Sequence, residues 1–168
     1  MEPPKLKLDT KGQPTTDSLA DLLEFFLNND QRVNIVRHPQ VEELFQWKQE
    51  FDRANGTPAY PFENAEARFA VGVIQAIQEN DTKDKLHEWI TRVLEALGES
   101  KQTNEDMARS FGLDQSESHI TQAQKLTSEI EKRLYLTSCW IESLCTAEVR
   151  FLGWVYQELY GEGYQPPQ

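Results

Sequence analysis

Basic charge is scarce in this 168-residue chain, with 17 lysines and arginines against 28 aspartates and glutamates and a formal net charge of -11. Such a surface repels phosphate backbones and anionic membranes, so nucleic acid is disfavoured as a partner. Long apolar runs are missing too. In the C-terminal part the longest uncharged stretch, Leu134 to Ile141, is well short of the roughly 20 residues a membrane helix needs, and it contains Thr137 and Ser138. No membrane insertion is expected. Cysteine is limited to Cys139 and Cys145. Six residues of helix give about 9 Å of rise and roughly 240° of rotation, so the two side chains do not meet on an intact helix. They read as reduced, buried thiols of a cytoplasmic protein, and the first nine residues carry no apolar core of signal-peptide length. Also missing are a nucleophilic triad, a phosphate-binding glycine loop and a dinucleotide fingerprint.

What is present is helical periodicity, above all from Ser118 to Tyr160, a segment without proline. Ile120, Ala123, Ile130, Leu134, Ile141, Leu144, Leu152, Val155 and Leu159 recur at helical steps, the pattern of a buried stripe. From Leu134 onward a second stripe, Leu136, Trp140, Ala147, Phe151 and Trp154, covers another side, so this half is expected to be enclosed by other helices. One helix over the whole segment would be roughly 64 Å long, against about 40 Å for a compact domain of this length. It must bend near Gly153, break in its polar first half, or project towards a partner.

Upstream, Asp17 or Ser18 is placed to cap a helix whose Leu19, Leu22, Leu23, Phe26 and Leu27 share one face. Pro39 opens a second helix over 39–54, with Val41, Leu44, Phe45 and Phe51 inward. Between them Val33 and Ile35 fit a short strand or a helical turn. Asn55 to Pro61 is the strongest break. Helices follow over 64–79 and from Asp81 or Thr82 to Leu97, where Gly98 reads as a left-handed cap before a polar loop, Glu99 to Gln102. Thr103 and Asp106 then resemble a capping box for a short helix stopped by Gly112, and Asp114 and Glu117 a second box that launches the long segment. The fold class is all-α, a five- or six-helix bundle around a long C-terminal helix. Hairpins 17–54 and 64–97 are expected to wrap its second half. Residues 17–160 form one helical domain, and 1–16 and 161–168 read as flexible tails.

Chemistry-bearing residues are sparse. The stretch Asp106 to Glu117 has the outline of a helix-turn-helix, but Gln115 to Lys125 offers one lysine and no arginine for DNA. His38, His87 and His119 lack the spacing of metal ligands, so neither metal nor cofactor is expected. Glu142 and Glu148 lie in the apolar half of the long helix, where burial would perturb a carboxylate into an acid or base. Trp140, Phe151 and Trp154 are candidates to line a pocket for a flat ligand, the alternative being core packing. Ile120 and Ile130, with Tyr156, Tyr160 and Tyr164 at four-residue steps, are candidate contacts for a protein partner or a second copy of the chain, unless the tyrosines seal the bundle end. The expected function is a non-catalytic protein-binding or assembly role through an acidic helical surface and the long helix. A binder of a small apolar or aromatic ligand, or a small enzyme using a buried glutamate, is the alternative.

Overall fold

A computed structural model describes residues 2–58, 65–113 and 118–167. Among these are six α-helices and no strand: α1 Thr16–Asn29, α2 Pro39–Ala54, α3 Ala65–Glu79, α4 Lys83–Ser110, α5 His119–Gln124 and α6 Glu129–Tyr160, with a single 3₁₀ turn, Asn34–Arg37, between α1 and α2. The architecture is the expected all-α bundle around a long C-terminal helix. The expected break after α2 is present at Asn55, which ends the helix, and Gly56, whose φ is 70°. Its end, residues 59–61, the expected capping box at Asp114 and Glu117 and the His119 side chain lie outside the described parts.

The long C-terminal segment breaks in its polar half. Helix α5 ends at Gln124, Leu126 turns inward to become buried, and the Ser128 hydroxyl accepts the Glu131 N–H, so a new helix starts there. Ser128 and Glu131 stand as Ser-x-x-Glu, the spacing of a capping box, and Glu129 and Glu131 place negative charge where the helix dipole favours it. Helix α6 alone is then roughly 48 Å long. Its other end is closed by Gly161, whose φ of 71° is the left-handed cap that residues with a Cβ rarely adopt.

Gly98, by contrast, caps nothing, because α4 runs through it for 28 residues. The expected polar loop and separate short helix are the second half of α4. Helix continuation there is favoured by burial far along its face. Asn104 and Ala108 are 4% and 2% exposed, Asn104 against α6 and Ala108 in a core shared with α5. Asp106, expected to take part in a cap, instead accepts from Gln102 and pairs with Arg109 one turn away on either side. A testable consequence follows from the open space at Gly98, where a Cβ would meet nothing within 4 Å. Gly98→Ala is expected to raise stability by about 0.5–1 kcal/mol in urea unfolding, the gain typical of a glycine removed from an exposed helix interior. A loss of stability would show that the chain does not run helically through this position.

The packing around α6 is divided into three stretches. Its C-terminal half, with Ala147, Phe151, Leu152 and Val155 fully buried, packs with α1, α3, α4 and the 3₁₀ turn. Its middle presents Trp140 to Val41, Leu44 and Phe45 of α2 and to Ala65. Its first turns bring Tyr135 and Cys139 to Ala108, Ala123 and Leu126. Helix α4 is the most extensive partner of α6 and runs antiparallel to it, since Asn104 meets Ser138 and Glu142 while His87 meets Tyr156. The expected pairing of helices into hairpins 17–54 and 64–97 is therefore replaced by a different one. Helix α1 packs on α3, α2 packs on the middle of α6, and α4 pairs with α6 more than with α3.

The first helix is capped by Thr15, whose hydroxyl accepts the Ser18 N–H, rather than by Asp17 or Ser18. Ser18 is instead buried and donates towards the Lys7 carbonyl. Residues 7–15 fold back as a turn built on Asp9, whose carboxylate accepts the Lys11 and Gln13 N–H groups, with Pro14 buried and Leu6 against the main core. Gln13 donates to the Asp81 carbonyl at 3.2 Å, at the α3–α4 connection. At the other end Lys83 pairs with Glu162, the His87 ring contacts the Gln165 carbonyl at 2.7 Å, and Tyr164 bonds Thr91. Both terminal segments thus reach the same corner of the bundle.

Candidate functional site

The three aromatic residues expected to share a pocket are not brought together as a set: Phe151 and Trp154 both pack on Phe26, and Trp140 lies elsewhere. Trp140 and Phe151 are three turns apart on α6, about 16 Å along its axis, and each is absorbed by a different part of the core. Trp140 is buried and stacks on His38, 5.3 Å between ring centres, while the His38 ring also caps α2 by accepting the Gln40 N–H. Phe151 is fully buried against Phe26 at 5.5 Å. Trp154 differs. It is half-buried, touches Phe25 at 6.1 Å and Phe26 at 5.3 Å, and lines an open cleft of about 860 Å³.

This cleft lies between the C-terminal end of α1, the second half of α6 and the segment at Gly163 and Tyr164, with the fully buried Ile90 of α4 at its floor. Phe25 and Trp154 form an aromatic wall, and Arg150 reaches across to Asp30, where α1 ends. Both Asp30 oxygens are in use: Oδ2 accepts from the Arg150 guanidinium, its Nε at 3.0 Å, and Oδ1 accepts the Arg32 N–H at 3.0 Å. Burial pushes the Asp30 carboxyl up, but the bonds from Arg150 and Arg32 outweigh it and hold the group below its usual value. The carboxylate therefore stays ionised and occupied. The other groups lining the cleft are the 73%-exposed Arg32 side chain, the amides of Asn29, Gln31 and Gln157, and the Phe25 and Trp154 rings.

The two glutamates singled out on α6 face different neighbourhoods, as their spacing of six requires. Glu142 accepts from Asn104 at 3.0 Å, and Asn104 in turn accepts from Ser138, so a small polar network crosses the α4–α6 interface. Beside it Tyr135 and Cys139 are both pushed up to about 12, chiefly by burial, and the Glu142 charge acts in the same direction. Glu148 is raised by burial, opposed by the approach of Trp89, whose buried indole N–H has no partner at hydrogen-bond distance. Cys145 is raised by burial and by the charges of Glu148 and Glu142. Both cysteines are free, and with these shifts both thiols are neutral at physiological pH, the form without nucleophilic strength. Neither glutamate pairs with Arg150, which belongs to Asp30.

Tyr156 is 3% exposed, and its ring packs against those of Tyr160, Tyr164 and His87 at 5.1, 6.2 and 6.2 Å. The three tyrosines pack at one end of the bundle, where the chain turns back after Gly161 and lays Tyr164 on α4; Tyr160 and Tyr164 stay half-buried, and Tyr164 also lines the cleft. Ile120 and Ile130 are open, 53% and 52% exposed on either side of the break between α5 and α6. Among the described residues no group of three or more histidines, cysteines or acids is arranged to hold a metal ion, and no helix is long and apolar enough to cross a membrane. Sequence reasoning missed Phe25, Asp30, Arg32 and Arg150 as a set. The local hints were an aromatic beside the apolar stripe of α1 and one arginine in an otherwise apolar half-helix. No family model matches the chain, and neither a curated protein nor a solved structure shows a significant match to it.

Proposed function

We propose that this is a non-catalytic binding and assembly protein of the cytoplasm, an adaptor or regulatory module, which holds a segment of a partner protein in the cleft beside Trp154. The makeup of that cleft carries the reading. The one carboxylate in its lining is ionised and paired with Arg150, and the other polar groups there are arginines, side-chain amides and the Tyr164 hydroxyl, which is bonded to Thr91. That is recognition chemistry rather than proton-transfer chemistry. The perturbed groups, Glu148, Cys139 and Tyr135, line other interfaces of the bundle. A trough open to solvent along its length favours a protein segment over an enclosed small molecule, because ligand pockets usually bury most of their occupant's surface.

Photo-crosslinking in the native host tests this reading. With p-benzoylphenylalanine in place of the exposed Gln157, a discrete protein adduct is expected; with the same group in place of Glu43 on α2, none is. Equal adducts from both positions, or none from either, would count against the cleft as the contact site. Native mass spectrometry of the unmodified protein separates the alternative: a single chain carrying a small added mass would move the assignment to a small aromatic ligand.

A further inference from the structure

The chemistry of the cleft narrows the occupant further. On a protein of net charge -11, the cleft mouth is a local exception, with Arg32 and Arg150 against the single Asp30. The Asp30 charge is already neutralised by Arg150 and its side chain is only 16% exposed, so it offers an incoming amine little. The Arg32 guanidinium is 73% exposed and its contact with Asp30 is a loose 3.5 Å, so most of its donors remain available. The aromatic wall of Phe25 and Trp154 stands beside these donors, with Phe26 tilted 30° behind Trp154 so that the indole is supported from within. Such a wall offers a ring edge-to-face or offset contact, worth more than its buried area alone.

We infer that the occupant is an acidic aromatic segment of the partner: a phenylalanine, tyrosine or tryptophan ring lying on Phe25 and Trp154, with an adjacent aspartate or glutamate reaching Arg32. This rests on the cleft being a protein-binding site. Charge complementarity selects the occupant within that reading. A basic segment would bring cations to two arginines and to an aspartate already paired with Arg150, whereas an acidic one meets the unspent donors of Arg32. The rest of the surface repels acidic chains, so recognition is confined to this mouth and should weaken as salt screens it.

The test uses the full chain labelled with 5-fluorotryptophan, which gives one fluorine resonance for each of the four tryptophans, with Trp154 assigned through Trp154→Phe. The probe is a ten-residue peptide with one phenylalanine flanked by glutamates; its controls carry alanine for the ring, or lysines for the glutamates. The acidic aromatic peptide is expected to shift the Trp154 resonance and leave Trp47, Trp89 and Trp140 in place. Arg32→Glu, at a highly exposed position, is expected to weaken that binding roughly tenfold and to improve binding of the lysine peptide. If the lysine or the ring-less peptide shifts Trp154 as well as the acidic aromatic one, the inferred chemistry is wrong while the binding site stands. If naphthalene-2-carboxylate shifts Trp154 and no peptide does, the occupant is a small molecule and the protein-partner reading falls with the inference. If no probe moves Trp154 although the Gln157 crosslink forms, the partner uses other chemistry and the inference is overturned alone.

Discussion

Phe151→Ala is expected to cost about 4 kcal/mol of folding stability, the typical loss when a fully buried phenylalanine is truncated. Phe151 has no exposed surface, lies one turn from Ala147 and Val155 on the most enclosed stretch of α6, and meets the Phe26 ring at 59° and 5.5 Å. The loss therefore combines the apolar area, the cavity left behind and the aromatic pair. Domains of this kind are stable by about 5–15 kcal/mol, so the variant should remain folded with its midpoint in urea well below that of the parent and an unchanged slope. The same truncation at the half-buried Trp154 should cost less, since water already reaches part of that ring. A loss under about 2 kcal/mol at Phe151 would mean that α1 and α6 collapse into the gap, and that their contact is softer than the packing implies.

A second large effect is expected at Asn104, the buried amide that joins α4 to α6. Its Nδ2 donates to Glu142 at 3.0 Å while its Oδ1 accepts from Ser138. Asn104→Asp preserves the shape and the acceptor for Ser138 but puts a carboxylate oxygen where the donor was, against the Glu142 carboxylate. Two carboxylates at that distance do not both ionise without cost, so the pair's upper pKa rises above that of the unfolded chain. A group raised in this way carries no penalty below its unfolded pKa, and the penalty grows as pH increases through the raised value. The variant should thus lose about 3 kcal/mol at pH 8, the scale of an uncompensated buried charge, and recover most of it near pH 4. Urea midpoints of parent and variant across that range are the measurement. A loss independent of pH would show that the new carboxyl escapes Glu142, for example by turning towards solvent.

The contrast between these two sites shows what local pattern conveys. Phe151 belongs to a stripe with helical spacing, and the face containing Leu19, Leu22, Leu23, Phe26 and Leu27 was legible for the same reason: burial follows period when one side of a helix meets the core. The continuation of α4 through Gly98 was not legible, because what favours it is a side chain six residues on whose partner lies 38 residues further along the chain. A glycine's local cost of about 1 kcal/mol is easily exceeded by such contacts. The break before α6 was a different case. Ser128 and Glu131 carry the cap signature within four residues, but the regular apolar stripe running across them masked it. The candidate site was the least legible. Asp30 and Arg150 are 120 residues apart, and nothing in either neighbourhood indicates that the end of α1 comes to rest beside the second half of α6. Trp154 was picked out as an aromatic on a helix face, but its wall partner Phe25 is the flank of a stripe, the place where period is least informative.

The two terminal segments meet the bundle at one corner: Gln13 holds the Asp81 carbonyl, and Glu162 holds Lys83 two residues later. A mechanical load that draws residue 2 away from residue 167 therefore enters the molecule at a single point. It peels two short strips, one after another, rather than shearing α4 along α6, where the buried surfaces would have to slip together. The first resistance to pulling then comes from a few hydrogen bonds, one surface ion pair and the packing of Leu6 and Tyr164 on the edge of the core, rather than from the contact between α4 and α6. A partner tethered to both flanks would feel a soft attachment joined to a stiff body, and the cleft, walled in part by the strip carrying Tyr164, would widen as that strip came away.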